Sequence, residues 1–221
     1  MTAYCGARLK PGWSLDLTRS DPATGLPWDL SDPKVQQRVK RLVIESKPLF
    51  LIGSPPCTAF SRMQNINKGR RCPKVVQEEL QEAEKHMRFC IELYGLQIQG
   101  GRYFIHEHPD GATSWQMPET VKLLTQRNVG IVLFDMCQFG MAAEKNGEVK
   151  PVQKSTRVAS NSKEVLKRLD IRCPNKGGPG EKHEHIALEG GLTKRAQVYP
   201  RAFCQTVCEG VAAEKRLRAL A

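Results

Sequence analysis

The sequence has no long apolar run. None of its hydrophobic stretches approaches the ~20 residues that a helix needs to cross a bilayer, and its first residues lack the apolar core of a secretory signal peptide. We therefore expect no membrane association and a nuclear or cytosolic protein that is not secreted. Hydrophobic residues make up 40% and charged residues 26% of the chain, which is typical of a globular domain.

Acidic residues are also in short supply. The chain carries 23 Asp and Glu against 34 Lys and Arg, which gives a net charge of +11. An excess of this size favours a polyanionic partner, most often nucleic acid, and the alternative is a basic protein that binds none. We expect DNA as the partner, with RNA as a second possibility. The sequence does not indicate an oligomeric state.

The eight cysteines lack the regular spacing of a disulfide framework. They fit better as reduced thiols, some in the core and some with chemistry or metal to carry. The chain also lacks internal repeats, and its 221 residues suffice for one main domain with a small appendage.

Short apolar segments alternate with longer segments of helical periodicity, which predicts an α/β fold with a largely parallel sheet. Strands are expected at 13–17, 49–53, 103–105, 130–134 and 157–159. Helices are expected at 32–46 (capped by Ser31), 74–99, 118–127 and 201–221. A basic segment at 68–71 and the Gly/Pro-rich stretch 173–180 are expected to be loops.

Two strand ends carry reactive side chains. The string SPPC (54–57) follows the apolar strand 49–53, and HEH (106–108) follows the strand 103–105. Ligands bind at the carboxyl ends of parallel strands, and a right-handed crossover through the helix between these strands would bring Cys57 and Glu107 to one edge of the sheet. A nucleophile and an acid would then face one pocket. The alternatives are an inert buried cysteine and a surface carboxylate.

These strings carry a resemblance to a known family. PCTAFS (56–61) resembles the Pro-Cys-Gln-x-Phe-Ser motif of cytosine-C5 DNA methyltransferases, and HEH (106–108) occupies the place of that family's Glu-Asn-Val motif. The matches continue elsewhere along the chain, in LDL (15–17), WDL (28–30), QFG (138–140) and, more loosely, QKSTR (153–157). The overall pattern looks most like the divergent members of the family that retrotransposons carry.

The resemblance implies a Rossmann-like methyltransferase fold with S-adenosylmethionine as cofactor. It implies that the target cytosine flips out of the duplex, that Cys57 attacks C6 and that Glu107 protonates N3, with Arg157 in support. The cofactor-binding residues that it implies are Asp16 for the ribose, Asp29 for the adenine, Trp28 beside Asp29, and Pro55 in the string before Cys57. Pro55 and Pro56 each fix a backbone φ and so hold the thiol in a narrow range of attack geometries.

Three features depart from the family's pattern. Thr58 replaces the glutamine after the nucleophile, and neither His106 nor His108 matches the family's asparagine. The family's Phe-x-Gly-x-Gly cofactor loop has only YCGA (4–7) as a poor substitute. The chain is therefore a fragment truncated at its N-terminus, or binds cofactor weakly, or no longer methylates. The rival hypotheses are a non-catalytic nucleic-acid-binding module with this fold and a cytosine-C5 methyltransferase that acts on RNA.

A second cluster of reactive residues lies near the C-terminus. Cys173, His183 and His185 offer three ligands, and Cys137 is the expected fourth, with Cys204 or Cys208 as alternatives. This set suits a structural, tetrahedral zinc ion; the alternative is a loop with solvated histidines and a core cysteine.

The expected organisation has three parts. The first part is a catalytic core that spans 1–160. The second is a short insert at 161–198, which takes the place of a target-recognition domain and is a candidate zinc-binding segment. The third is a helix at 199–221 that returns to the core. An insert of this size predicts weak discrimination among target sequences.

Overall fold

Proline and polar caps fix where the helices of this chain begin. The computed structural model describes residues 9–61, 71–188 and 196–220. The described helices are α1 (Pro33–Ser46), α2 (Pro73–Gln99), α3 (Pro118–Leu124), α4 (Lys163–Leu169) and α5 (Arg201–Leu220). The first three each open on a proline, whose missing N–H costs a first turn nothing.

The strands form two sheets. The described strands are β1 (Phe50–Gly53), β2 (Tyr103–Pro109), β3 (Gly130–Asp135), β4 (Ala142–Lys145), β5 (Glu148–Pro151) and β6 (Ser155–Ser160). The larger sheet has the order β1-β2-β6-β3, and β4 pairs with β5 in a separate hairpin. Asn146 and Gly147, at the hairpin tip, both have positive φ, as a type I′ turn requires.

The expected α/β class is confirmed, and the sheet is mixed with mostly parallel content. The departure from parallel pairing is β6, which runs antiparallel to β3 from Gly130 opposite Ser160 to Asp135 opposite Ser155. Among the described residues no helix combines the length and the apolar character that a bilayer span needs.

The described chain divides into two compact units. The N-terminal unit contains Pro11–Ile105 and Ala112–Arg127, and the C-terminal unit contains His106–Gly111 and the described residues from Asn128 onward. In the N-terminal unit α1 packs on α2 around a core that also holds the tryptophan of the WDL string: Trp28, Val39, Val43, Phe89 and Leu93.

In the C-terminal unit, aromatic rings and a close helix crossing form the packing. Phe134, Phe139 and Phe203 meet with ring centroids 5.4 to 5.7 Å apart. Gly210 lets α5 approach α4, because a Cβ there would lie 2.9 Å from the Cα of Val165.

Several predicted elements have different bounds, and one is wrong. The segment 13–17 forms no strand: Trp13 and Leu17 are 52% and 64% exposed, and a turn begins at Asp16. Asp32, not Ser31, caps α1 by accepting a hydrogen bond from the Lys34 N–H. The strand predicted at 103–105 continues to Pro109.

The sequence prediction missed the β4-β5 hairpin and α4. α4 is a helix of 7 residues whose cap, Ser162, accepts a hydrogen bond from the N–H of Val165. Glu214 of α5 accepts a second hydrogen bond from the Ser162 hydroxyl, at 2.6 Å. A short helix held by such long-range contacts carries little periodicity of its own.

Candidate functional site

Cys57 lies on the turn that follows β1 in the N-terminal unit. The strand ends at Gly53, where a Cβ would lie 1.9 Å from the hydroxyl oxygen of Tyr94, so the chain leaves the sheet through a position that only glycine fills. Pro55 is buried, and Cys57 is half-buried as the residue before a 3-10 turn, Thr58–Phe60. Its carbonyl accepts a hydrogen bond from the Phe60 N–H at 3.1 Å. A proline-restrained turn therefore presents this side chain as a reduced thiol.

Glu107 lies inside β2 rather than after it. It belongs to the C-terminal unit, is 6% exposed, and accepts a hydrogen bond from the Tyr199 hydroxyl at Oε2. Because side chains alternate along a strand, Glu107 faces one side of the sheet and the two flanking histidines face the other. The strand that was expected to end at Ile105 therefore includes Glu107, whose carboxyl is buried and hydrogen-bonded.

The histidines beside Glu107 pack against each other. The rings of His106 and His108 are stacked with centroids 5.7 Å apart, and both residues are 1% exposed. Burial, and then the neighbouring His108, lowers the pKa of His106 to about 3. His106 is therefore neutral at physiological pH and supplies no proton to a reaction.

Arg157 lies on β6, opposite Leu133 of β3. Its Nε donates to Asp110 Oδ1, and the Asp110 N–H donates to the Ser155 carbonyl at 3.1 Å. The guanidinium thus engages a carboxylate three residues beyond Glu107. The Arg157 side chain is 38% exposed, and a pair this open to water contributes little to stability.

The two acids expected to bind cofactor occupy matching turns. Oδ1 of Asp16 accepts from the N–H and hydroxyl of Thr18, and Oδ1 of Asp29 accepts from the N–H and hydroxyl of Ser31. The hydroxyl first, and then the N–H, lowers the pKa of each carboxyl. Both acids are exposed and ionised at neutral pH.

Trp28 packs into the N-terminal unit rather than presenting a face to solvent. It is 4% exposed and belongs to the core between α1 and α2. The guanidinium of Arg38 lies 5.6 Å from its ring centroid, in cation–π range. Its contacts are those of a core residue.

The four expected metal ligands come together in the C-terminal unit. Their ligand atoms, on Cys137, Cys173, His183 and His185, all lie within 4.8 Å of one another. Cys173 Sγ is 3.6 Å from Nε2 of each histidine, and the two Nε2 atoms are 3.0 Å apart. Bond lengths of ~2.3 Å to sulfur and ~2.0 Å to nitrogen around a tetrahedral ion put sulfur and nitrogen about 3.5 Å apart. This group could hold a metal ion.

Asp135 anchors the loop that carries Cys173, a candidate metal ligand, to the end of β3. Its carboxylate is buried and accepts hydrogen bonds from the Cys173 N–H and from Arg172 Nε, both at 2.9 Å. These hydrogen bonds, with one from Ser155, hold the pKa of Asp135 below its usual value against the opposing effect of burial. The ionised carboxylate of Asp135, two residues before Cys137, therefore holds the loop that carries Cys173.

Backbone pairing fixes the histidine segment. The Ile186 N–H donates to the Pro151 carbonyl at 2.8 Å, and the Gln153 N–H donates to the Ile186 carbonyl at 3.3 Å. The Asn175 side chain donates to the His183 carbonyl and accepts from its N–H. The segment that carries the two histidines is thus held by Pro151 at the end of β5, by Gln153 after it, and by Asn175 in the loop after Cys173.

The ionisation of the ligands suits metal binding in part. Burial first, and then the neighbouring His183 and Lys176, lower the pKa of His185, so its ring is neutral and able to bind a metal at neutral pH. Burial and the nearby Cys173 thiol raise the pKa of Cys137. A bound cation would offset that shift, because it stabilises thiolate. Cys208, one of the alternative fourth ligands, is disulfide-bonded.

Sequence reasoning missed two residues at these sites, Tyr199 and Asp135. Tyr199 lies 92 residues from Glu107, and no motif connects the two. Asp135 had a usable signal, since it is an acid at the carboxyl end of a strand and two residues before a candidate ligand.

Comparison with protein-family models, with curated proteins and with solved structures finds no match for this chain. The fold and the site by themselves define an α/β protein with a mixed sheet and a Cys/His group that could hold a metal ion.

Proposed function

We propose that this protein transfers a methyl group to C5 of cytosine in DNA, with Cys57 as the nucleophile and Glu107 as the acid. The observation that carries the proposal is the half-buried, reduced thiol of Cys57 on a proline-restrained turn at the carboxyl end of β1. The buried carboxyl of Glu107 on β2 adds to it. The motif resemblance supplies the reaction, and the net charge of +11 suits a nucleic-acid substrate.

In the proposed reaction, each residue acts on one atom of a flipped cytosine. Cys57 Sγ forms a bond to C6 while Glu107 gives a proton to N3, so that C5 becomes nucleophilic. After C5 has gained its methyl group, a base removes the C5 proton and the bond between Sγ and C6 breaks. Glu107 then takes back the proton from N3, and the thiolate is restored.

S-adenosylmethionine, when bound, would supply the electrophilic methyl carbon. Asp16 and Asp29 suit the sugar and base of such a cofactor, because each uses only Oδ1 in its turn and both carboxylates are exposed. The buried ring of Trp28 does not suit a stacking role. Residues 4–7, the substitute for the family's cofactor loop, lie outside the described residues.

Labelled methyl transfer tests the proposal. Wild-type protein should incorporate methyl label from S-adenosylmethionine into duplex DNA, and Cys57→Ser should abolish incorporation because a serine hydroxyl is a far weaker nucleophile than a thiolate. Cys72→Ser, which alters an exposed thiol, is the matched control and should retain activity. Label that enters tRNA but not DNA would favour the RNA enzyme. Duplex binding without label in either substrate would favour the non-catalytic module.

We further propose that the ion held by Cys137, Cys173, His183 and His185 is zinc in a structural role. Two thiolates and two imidazoles form a closed tetrahedral set, and such a set leaves no position for a substrate. The ion would join the loop that carries three of these ligands to Cys137, and so would contribute to folding directly.

A further inference from the structure

The proposed reaction leaves one contact of its acid unused, the one between Tyr199 and Glu107. The Tyr199 hydroxyl donates a hydrogen bond to Glu107 Oε2. Both residues belong to the C-terminal unit. A hydrogen bond to one oxygen of a carboxyl group restrains the direction in which the other oxygen points.

Several contacts hold Tyr199 in place. Lys154 Nζ lies 5.8 Å from its ring centroid and also donates to the Ala196 carbonyl at 3.2 Å. The ring packs on Phe203 with centroids 5.0 Å apart. Pro200 follows directly and disfavours helical backbone at Tyr199, so the tyrosine stays outside the first turn of α5. The hydroxyl therefore approaches Glu107 from a restrained side chain.

We propose that Tyr199 is a positioning residue for Glu107: it binds Oε2 and so orients the carboxyl group to exchange its proton with cytosine N3 through Oε1. This inference rests on the proposed function. In this role the Tyr199 hydroxyl acts through the Glu107 carboxyl and not on the substrate itself. Loss of its hydroxyl leaves the acid present but removes a hydrogen bond that restrains the last side-chain torsion of Glu107, which is broad in glutamate.

The test compares Tyr199→Phe with a matched control, Tyr103→Phe. Tyr103 is also half-buried and stacks on another ring, that of Phe50, so the control removes the same atom elsewhere. With duplex containing 5-fluorocytosine at saturation and cofactor present, Tyr199→Phe should slow covalent adduct formation ~10- to 100-fold, the cost of a misplaced catalytic group. Duplex affinity should stay unchanged, because phosphate contacts carry it.

An infrared signature reports on the hydrogen bond itself. The difference spectrum between wild type and Glu107→Gln isolates the Glu107 carboxyl band. The same difference taken in the Tyr199→Phe background should show that band at a shifted frequency, and Tyr103→Phe should leave it in place. If Tyr199→Phe does not fold, Lys154→Met replaces it: this variant loosens the tyrosine, keeps its hydroxyl, and should shift the band in the same direction by less.

The possible outcomes separate the two proposals. An unshifted band together with an unchanged adduct rate in Tyr199→Phe overturns the positioning role, as does a shifted band with an unchanged rate. Wild-type protein that forms no adduct overturns the proposed function instead, and the infrared band then still shows whether Tyr199 orients Glu107. A shifted band with a slowed rate and unchanged duplex affinity supports the inference.

Discussion

Gly53 is the residue whose identity the packing around the candidate nucleophile restricts most. A Cβ at this position would lie 1.9 Å from the Tyr94 hydroxyl oxygen. Tyr94 cannot easily move aside, because it is fully buried and its ring stacks on Phe104 with centroids 4.9 Å apart. The turn that carries Cys57 therefore depends on a missing side chain four residues earlier.

We predict that Gly53→Ala lowers the free energy of unfolding by about 1–3 kcal/mol, the usual cost of overpacking a core. Gly95→Ala is the matched control: Gly95 lies inside α2, where an added Cβ would meet no atom within 4 Å, and alanine there should raise stability by ~0.5–1 kcal/mol through helix propensity. Denaturant unfolding measures both. Equal stability of Gly53→Ala and wild type would contradict the close approach of Tyr94.

At the residue scale, local strings were informative and long-range partners were not. The thiol after two prolines and the four side chains that could hold a metal ion were recognisable from residue type and spacing. The hydroxyl of Tyr199 could not be assigned to Glu107, because folding across 92 residues brings them together. The acids Asp16 and Asp29 stood out in the sequence, but their hydrogen bonds to Thr18 and Ser31 follow from turn chemistry that was not predicted. Asp16 was placed in a strand at 13–17, and Ser31 was expected to cap a helix.

At the element scale, the loop between α4 and Ile186 is notable because it carries three of the four candidate metal ligands. Its residues Cys173, His183 and His185 surround a point shared with Cys137 from the end of β3. A 3-10 turn, Pro174–Lys176, is the regular structure described between Cys173 and His183. A metal ion would therefore join this loop to the sheet.

We predict that purified protein carries about one equivalent of zinc and that chelation lowers its melting temperature. Free zinc at a hundred times its dissociation constant should add about 2.7 kcal/mol to stability. Cys173→Ser should lose the metal and the response to chelator, whereas Cys72→Ser should keep both, because Cys72 is exposed and belongs to no such group among the described residues. Metal-free protein with an unchanged melting curve would leave the group as an ordinary polar cluster.

Elements with strong periodicity could be predicted, and elements defined by tertiary contacts could not. The helix α2 was expected to begin at residue 74 and begins at Pro73. The strand β2 was expected to end at Ile105 because His106, Glu107 and His108 read as polar, yet all three are buried. α4 depends on Glu214 and on the space left by Gly210, which residues 163–169 do not encode.

At the scale of the whole molecule, charge is the property most open to test. A net charge of +11 offers many phosphate contacts, whereas the segment expected to stand in for a target-recognition domain is short. Phosphate contacts supply affinity without sequence information. Binding should therefore depend on ionic strength more than on base sequence.

We predict that duplex affinity falls steeply with salt, with a log–log slope near ~−0.9 per phosphate neutralised. At fixed salt it should vary little among unrelated duplexes, and titrations of several duplexes from low to physiological salt provide the measurement. A preference of more than about a hundredfold for one sequence exceeds the ~1–3 kcal/mol of a single good base contact. Such a preference would show that side chains of this protein read base edges directly.

The alternation of apolar segments was enough to predict an α/β chain, because the long helices and the buried strands have distinct hydrophobic periodicities. The strand order was beyond reach: β6 pairs with β3, and it also lies beside β2, although β4 and β5 separate it from both along the chain. The division into two compact units likewise depends on contacts between distant segments, since His106–Gly111 groups with residues after Asn128.

The central claim is that Cys57 forms the covalent bond to cytosine, and the most direct test is to find where that bond forms. Wild-type protein incubated with cofactor and duplex containing 5-fluorocytosine, which blocks the final elimination, should yield a stable protein–DNA adduct. Peptide mapping by mass spectrometry should place the nucleotide on the peptide that contains Cys57. An adduct on another residue, or one that survives Cys57→Ser, would contradict the account, and so would methyl transfer to cytosine by wild-type protein without any trapped adduct.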